Sequence, residues 1–257
     1  MSNTHVLAIL QARMSSSRLP GKVLLRTCGK PLLAHQIERI GRCKAVSRLV
    51  VATSTDSSDD AIEELCRTLG VAVHRGSLDD VLNRFSGAAR SFSPEWIVRL
   101  TGDCPLTDPA LIDRVVRTAV EGGFDYVSSA LNPTFPDGLD AECLRYSVLA
   151  VAEAEARLPS EREHVTAFVY SRPKRFHLGE VRNAVDLSAL RWTVDEPRDF
   201  VFVSQVFERL YPFNPCFSMD DVLQLLDNEP RLATLNGGIL RNEGYHKSLR
   251  GDCAADL

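Results

Sequence analysis

The chain has 257 residues, 44% hydrophobic and 25% charged, the make-up of an ordinary globular protein with one full core. Its formal net charge of −4 argues against a broad nucleic-acid footprint, so any local cluster of positive charge suits a small anion. No apolar run approaches the length of a membrane span, and the opening Met1-Ser-Asn-Thr lacks the basic region and cleavage site of a signal peptide.

Val6 to Leu10 is a short apolar run that reads as a buried first strand. It opens into Gln11-Ala-Arg-Met-Ser-Ser-Ser-Arg-Leu-Pro-Gly-Lys22, a loop of small residues that carries Arg13, Arg18 and Lys22. Small residues let backbone N–H groups turn toward one point, and the cationic side chains add fixed charge and bidentate donors. After the first strand of an α/β unit, such a loop is where a polyphosphate sits. A solvated turn is the plainer reading. Neither a G-x-x-x-x-G-K-[ST] loop nor a G-x-G-x-x-G turn is present.

Pro31 can start a helix, and Leu32, Leu33, Gln36, Ile37 and Ile40 continue it at a 3.6 period to about Cys43. Leu49 to Thr53 is a second strand. Asp56 to Asp60 caps a helix whose inner face is Ile62, Leu65, Cys66 and Leu69, with Gly70 as its stop. Val71 to His74 is a third strand. Ser77 then reads as an N-cap with Asp80 in the capping-box position, on a helix that carries Arg84. Trp96 to Leu100 is a fourth strand, ending in Thr101-Gly-Asp-Cys-Pro-Leu106. An aspartate just past the C-terminal end of a parallel strand lies where α/β sheets bind ligands, so Asp103 is a candidate Mg²⁺ ligand beside the alternative of a turn or cap role. Asp108 caps the helix from Pro109 to Glu121, and Phe124 to Ser128 is a fifth strand. This alternation predicts a mostly parallel sheet covered on both faces, within a single domain spanning residues 1–257.

Past Ser129 the pattern changes. Phe135-Pro-Asp-Gly-Leu-Asp140-Ala-Glu142 reads as an excursion at about 130–145 that brings Asp140 and Glu142 back on one face of an extended segment, or as a solvated hairpin. A helix is expected over Leu144 to Arg157. Another starts at Ser160 and holds Arg162, Glu163 and His164, where His164 can serve as an acid or base or simply as a hydrogen-bonded helix residue. Phe176 to Val181 is a strand. Leu190 to Asp195 reads as a strand that ends at Asp195, with a helix from Pro197 and Asp199 in its first turn. Phe200 to Tyr211 is amphipathic, Ser218 caps a helix running to about Asp227, and the tail at about 230–257 looks irregular. Cys28, Cys43, Cys66, Cys104, Cys143, Cys216 and Cys253 are odd in number, widely spaced and free of C-x-x-C, so reduced thiols in a cytoplasmic protein fit better than a disulfide framework or zinc site.

The order A-R-x-x-S-x-R-L-P-G-K, then G-K-P-L, then G-D-x-P-L resembles the cytidylyltransferases that activate acidic sugars, the acylneuraminate and 3-deoxy-manno-octulosonate enzymes. The segments F-P-x-G-L-D-x-E and R-E-H-V-T resemble the spore-coat polysaccharide branch of that superfamily. The resemblance covers most of residues 5–210. It implies a Rossmann-like three-layer α/β sandwich, CTP as donor and a sugar or sugar acid as acceptor, in a homodimer. It implies that Leu10, Ala12, Arg13, Ser15, Arg18, Lys22, Ser77, Arg84, Thr101 and Asp103 meet the nucleotide, with Arg13 and Lys22 offsetting the charge of the leaving pyrophosphate. It further implies that Asp103 and Asp195 hold Mg²⁺, and that Asp140, Glu142, Arg162, Glu163 and His164 meet the acceptor. The residues alone leave three alternatives: guanylyl or uridylyl transfer to a sugar 1-phosphate, a glycosyltransferase, and a non-catalytic nucleotide-binding protein.

Overall fold

A computed structural model of the chain describes residues 4–239 together with Arg241, Ser248, Leu249 and Asp252. Strand β1 is Val6–Gln11. After the loop and a 3-10 turn at Lys22–Leu24, β2 (Arg26–Thr27) and β3 (Lys30–Pro31) form a small antiparallel ribbon. Then follow α1 (Leu32–Ile40), β4 (Arg48–Ser54), α2 (Asp60–Leu69), β5 (Ala72–Gly76), α3 (Val81–Arg90), β6 (Trp96–Thr101) and α4 (Pro109–Glu121). The second half adds β7 (Tyr126–Ser128), β8 (Glu142–Arg145), α5 (Tyr146–Glu155), α6 (Pro159–Glu163), α7 (Ala167–Tyr170), β9 (Leu178–Glu180), α8 (Pro197–Leu210) and α9 (Met219–Asn228).

Among the described residues the main sheet has seven strands in the order β5-β4-β1-β6-β8-β7-β9. All its pairings are parallel except those of β8, which runs antiparallel to β6 and β7. Alternation along β1 builds three layers, because successive side chains leave a strand on opposite faces. Val6, Ala8 and Leu10 join a core with Ile37 of α1, Val115 of α4 and Phe202 of α8. Leu7 and Ile9 join a second core with Phe85 of α3, Leu149 of α5 and Val169 of α7. Both faces of β1 are thus covered, which is why its sequence is a continuous apolar run rather than an alternating one.

The caps behave as their chemistry predicts at several points. Asp108 accepts from the backbone of Ala110 and Leu111 at the start of α4, Ser218 and Asp221 form a capping box on α9, and Gly70 closes α2 in a left-handed turn. Elsewhere the structure corrects the expectation. Ser77 is not the cap of α3. Asp80 is, accepting from Asn83 N, while the Ser77 hydroxyl accepts from Asp80 N in the preceding turn. Pro31 sits before α1 rather than inside it. Leu69, expected inside, is 42% exposed at the end of α2.

The larger correction concerns 130–145. This segment does not leave the core: Phe135, Leu139, Ala141 and Cys143 are buried, and Glu142 to Arg145 is a strand between β6 and β7. The helix expected from Leu144 therefore begins at Tyr146. The strand expected over Leu190 to Asp195 is extended chain without a ladder. It makes one bridge, Asp137 to Arg191, and is threaded between two loops rather than beside a strand. Of the tail, Leu232–Thr234 is a 3-10 turn, and the expected irregular Asn242 to Tyr245 lies outside the described residues.

Candidate active site

From β1 the chain moves to β4 on one side, and β6 pairs on the other, so a crevice opens beyond the C-terminal ends of β1 and β6. Gln11 of β1 is level with Thr101 of β6, and the loops that follow them, 12–22 and 102–106, face each other. Gly102 permits the approach. A Cβ there would lie 3.0 Å from both Ala12 Cβ and the Gln11 carbonyl oxygen. The result is a cleft of about 1080 Å³.

Most of the site residues expected from the sequence meet in it. Ala12, Arg13, Arg18, Lys22, Arg84, Thr101, Asp103, Asp140, Glu142, Glu163, His164 and Asp195 all line the cleft. Arg162 lines a smaller adjoining recess with Arg13 and Glu163. Three are placed elsewhere. Leu10 is fully buried in β1, and Ser15 and Ser77 are outside the lining of either hollow.

At the centre, Lys22 Nζ is 3.1 Å from Asp103 Oδ2 and 2.7 Å from Asp195 Oδ1. The lysine side chain is only 11% exposed. Burial works against its charge, but the two carboxylates outweigh that and raise its pKa. Burial likewise opposes charge on Asp103, and Lys22 together with Thr101 and Cys104 overcomes it, holding the carboxyl well below the usual carboxylate range.

The segments that carry the two aspartates are stitched together. The Asp103 carbonyl accepts from Val194 N at 2.8 Å and from the Thr193 hydroxyl at 3.2 Å. Asp195 is then fixed from behind. Its Oδ2 accepts from Arg191 at 3.1 Å and pairs with Arg18 at 3.1 Å. Arg191 is itself clamped by the fully buried Asp199, with Nε 3.0 Å from Oδ1 and Nη2 3.1 Å from Oδ2. Asp199 also accepts from the backbone N–H groups of Asp195 and Glu196, and from Asn236. The first-turn carboxylate expected on α8 is therefore also the anchor of the site. Gly138 is required here. It adopts φ +107°, and a Cβ would meet Thr193 N at 2.4 Å.

The basic loop is held by a residue that sequence reading had placed only in a cap. Asp59, 1% exposed, accepts from Met14 N at 2.7 Å through one oxygen and from Ser54 N and Oγ at 3.0 and 2.5 Å through the other. Ala12 N donates to Ala52 O at 3.1 Å. The backbone donors of residues 12 and 14 thus shape the loop rather than point into the cleft. Arg84 approaches the cleft from α3. Burial, and then Arg13, lower its pKa to about 10. Its Nη1 donates to the carbonyls of Ser77 and Leu78, and its buried Nε has no partner among the described residues.

On the far side, Glu142 has both oxygens engaged: Arg99 on Oε1, and the hydroxyls of Tyr126 (2.8 Å) and Thr166 (2.5 Å) on Oε2. It braces that wall, and Arg99, Tyr126 and Thr166 line the cleft around it. Arg99 was missed by sequence reading, although an arginine inside the apolar run of β6 was the available signal. Arg162 is occupied by Asp80 and by the Glu153 carbonyl. His164 Nε2 is 3.0 Å from the Ser248 hydroxyl, which donates to Glu163. Burial pushes the Asp140 carboxyl up to about 7 against the pull of Arg241, its ion-pair partner.

Asp103 and Asp195 converge on one cation, the ammonium of Lys22, and are the carboxylates here that could hold a divalent ion. No group of three or more His, Cys, Asp or Glu that could hold a metal is found among the described residues. A metal here would take its other ligands from a bound phosphate and water, the pattern Mg²⁺ favours.

A family model for cytidylyltransferases matches residues 7–243. The chain belongs to the cytidylyltransferase family. With it, the chain is placed among the nucleotidyltransferases. The spore coat polysaccharide biosynthesis protein SpsF of Bacillus subtilis is 32% identical over 89% of this chain and 97% of its own. A cytidylyltransferase structure from Leptospira borgpetersenii superposes with a TM-score of 0.87 at 32% identity, over 93% of this chain and all of that one. The 3-deoxy-manno-octulosonate cytidylyltransferase of an Anaeromyxobacter species is 43% identical, over 46% of this chain and 48% of its own. The mostly parallel seven-stranded sheet with helices on both faces matches the cytidylyltransferase fold.

Proposed function

We propose that this cytidylyltransferase moves a cytidylyl group from CTP to a hydroxyl of a sugar or sugar acid, releasing pyrophosphate, in the making of surface polysaccharide. The observation that carries the reading is the convergence of Lys22, Asp103 and Asp195 with Arg18, from segments far apart in the chain, in a cleft that Arg13 also lines. In this reading Arg13, Arg18, Lys22 and the buried Arg84 hold the triphosphate. Such fixed charges stabilise the charge that builds on pyrophosphate as it leaves. Mg²⁺ held by Asp103 and Asp195 supplies further neutralisation of the phosphate charge. The wall of Arg99, Tyr126, Asp140, Glu142 and His164 orients the acceptor so that its oxygen approaches the α-phosphorus in line with the departing oxygen. Likeness to SpsF along nearly the whole chain, and to the octulosonate enzyme along half of it, supports a sugar-type acceptor.

We place the enzyme in the cytoplasm, where the six described cysteines, all free thiols, stay reduced. Its expected assembly is a homodimer, checked by light scattering. Catalysis is tested by incubating the protein with Mg²⁺ and each of the four nucleoside triphosphates against acidic sugars and sugar 1-phosphates. Pyrophosphate release gives the rate and mass spectrometry the product. CTP-dependent release with a CMP-sugar product supports the reading, and release only with GTP or UTP, or none with any pair, overturns it.

A further inference from the structure

We propose that the Lys22 ammonium keeps the place of the divalent cation: lysine and metal hold Asp103 and Asp195 by turns, and arrival of nucleotide makes the exchange. The inference rests on the metal–nucleotide reading given above. An ammonium and a divalent ion compete for the same oxygens. Lys22 Nζ sits on Asp103 Oδ2 and Asp195 Oδ1 at once, at 3.1 and 2.7 Å. A magnesium ion at its usual distance of about 2.1 Å from those oxygens would lie against the ammonium, with like charges in contact. On those two oxygens the two cations compete.

The surrounding groups decide which of them moves. Asp195 Oδ2 is served separately, by Arg18 and Arg191. Arg191 is pinned by Asp199 and cannot follow a ligand. The loop backbone at Lys22 is also fixed, with Gly21 N on Met14 O at 2.9 Å, Lys22 N on Leu19 O at 3.2 Å, and Asp59 beneath Met14. What remains free to swing is the four-carbon stem of Lys22. A triphosphate beside Arg13 offers that ammonium new oxygens, and its withdrawal uncovers the carboxylate pair for metal. Without nucleotide the pair is already neutralised, so bare metal gains little by binding.

The test is the binding of Mn²⁺ to the intact protein without nucleotide, read from the electron paramagnetic resonance signal of the free ion. Wild type and Lys22→Arg should bind weakly. Lys22→Met should bind tighter by about tenfold or more. Arg18→Met removes one positive charge from the other oxygen of Asp195, and its gain should be much smaller. Thermal melting confirms that each variant is folded, and Lys22→Gln replaces Lys22→Met if the latter is not. Mn²⁺ binding no tighter in the Lys22 variant than in wild type, or an equal gain in Arg18→Met, overturns the exchange. If Asp103→Asn and Asp195→Asn leave the binding of the Lys22 variant unchanged, the metal lies elsewhere and the metal reading itself fails along with the exchange.

Discussion

Lys22 and Asp195 are 173 positions apart in the chain, yet the lysine ammonium lies 2.7 Å from the aspartate Oδ1. That contact closes the cleft floor, because the same ammonium also reaches Asp103. Lys22→Ala and Asp103→Asn should each lower turnover about 10²–10³-fold, the usual loss when one group that stabilises transition-state charge is removed. The fold should persist, since the core around β1 does not depend on either side chain. Steady-state rates of pyrophosphate release and far-ultraviolet circular dichroism check both halves. Full turnover in both variants would remove them from the chemistry.

Asp59 is not in the cleft lining but fixes the loop that is. Asp59→Ala leaves the N–H groups of Met14 and Ser54 without their acceptor. An unpaired buried donor costs about 1–3 kcal/mol, so the denaturation midpoint should fall. The loop that carries Arg13 and Lys22 should also loosen, raising the nucleotide KM about tenfold with a smaller change in kcat. An unchanged KM in a destabilised protein would make Asp59 a purely structural residue.

His35 makes the stability of the fold depend on pH. It is 1% exposed, its Nε2 is 2.9 Å from the Thr27 carbonyl oxygen, and its Nδ1 is buried without a partner among the described residues. The neutral ring therefore carries its proton on Nε2, and a second proton on Nδ1 would be buried with no acceptor. Burial lowers its pKa, more than the Thr27 contact raises it. A group depressed in the folded state stabilises fully above its unfolded pKa, near 6.5, and that contribution is lost as pH falls toward the folded value. His74 and His164, both lowered chiefly by burial, act in the same direction. Asp140, whose carboxyl burial raises to about 7, works in the opposite direction over the same window, so the His35 contribution is read by difference: between pH 7 and pH 5 the melting temperature of His35→Gln should fall less, or rise more, than that of wild type. An equal slope in the variant would show that other groups set it.

What the sequence made legible was local. The loop after β1, the cap at Asp108 and the turn at Asp103 each announce themselves within a few residues, because caps and small-residue loops are local chemistry. The strand expected over Leu190 to Asp195 is extended chain instead, with Trp192 and Val194 buried while Arg191 and Asp195 line the cleft. What it could not reveal was that Asp137 and Asp103, both in loops, take its backbone bonds instead of a strand. Asp59 and Asp199 were legible only as a cap and a first-turn carboxylate, and Arg99 only as an arginine in an apolar run, because Asp59 meets Met14, Asp199 meets Asn236 and Arg99 meets Glu142 across the fold. β8 escaped because a four-residue strand whose first residue is a buried glutamate lacks the apolar run expected of a central strand.

Nucleotide and metal should bind jointly at Lys22, Asp103 and Asp195. Isothermal titration of CTP into wild type, with and without Mg²⁺, and into the Asp103→Asn/Asp195→Asn double variant measures it directly. Mg²⁺ should tighten CTP binding in wild type by about tenfold or more and have little effect in the double variant. Equal Mg²⁺-dependent tightening in both proteins would contradict the account.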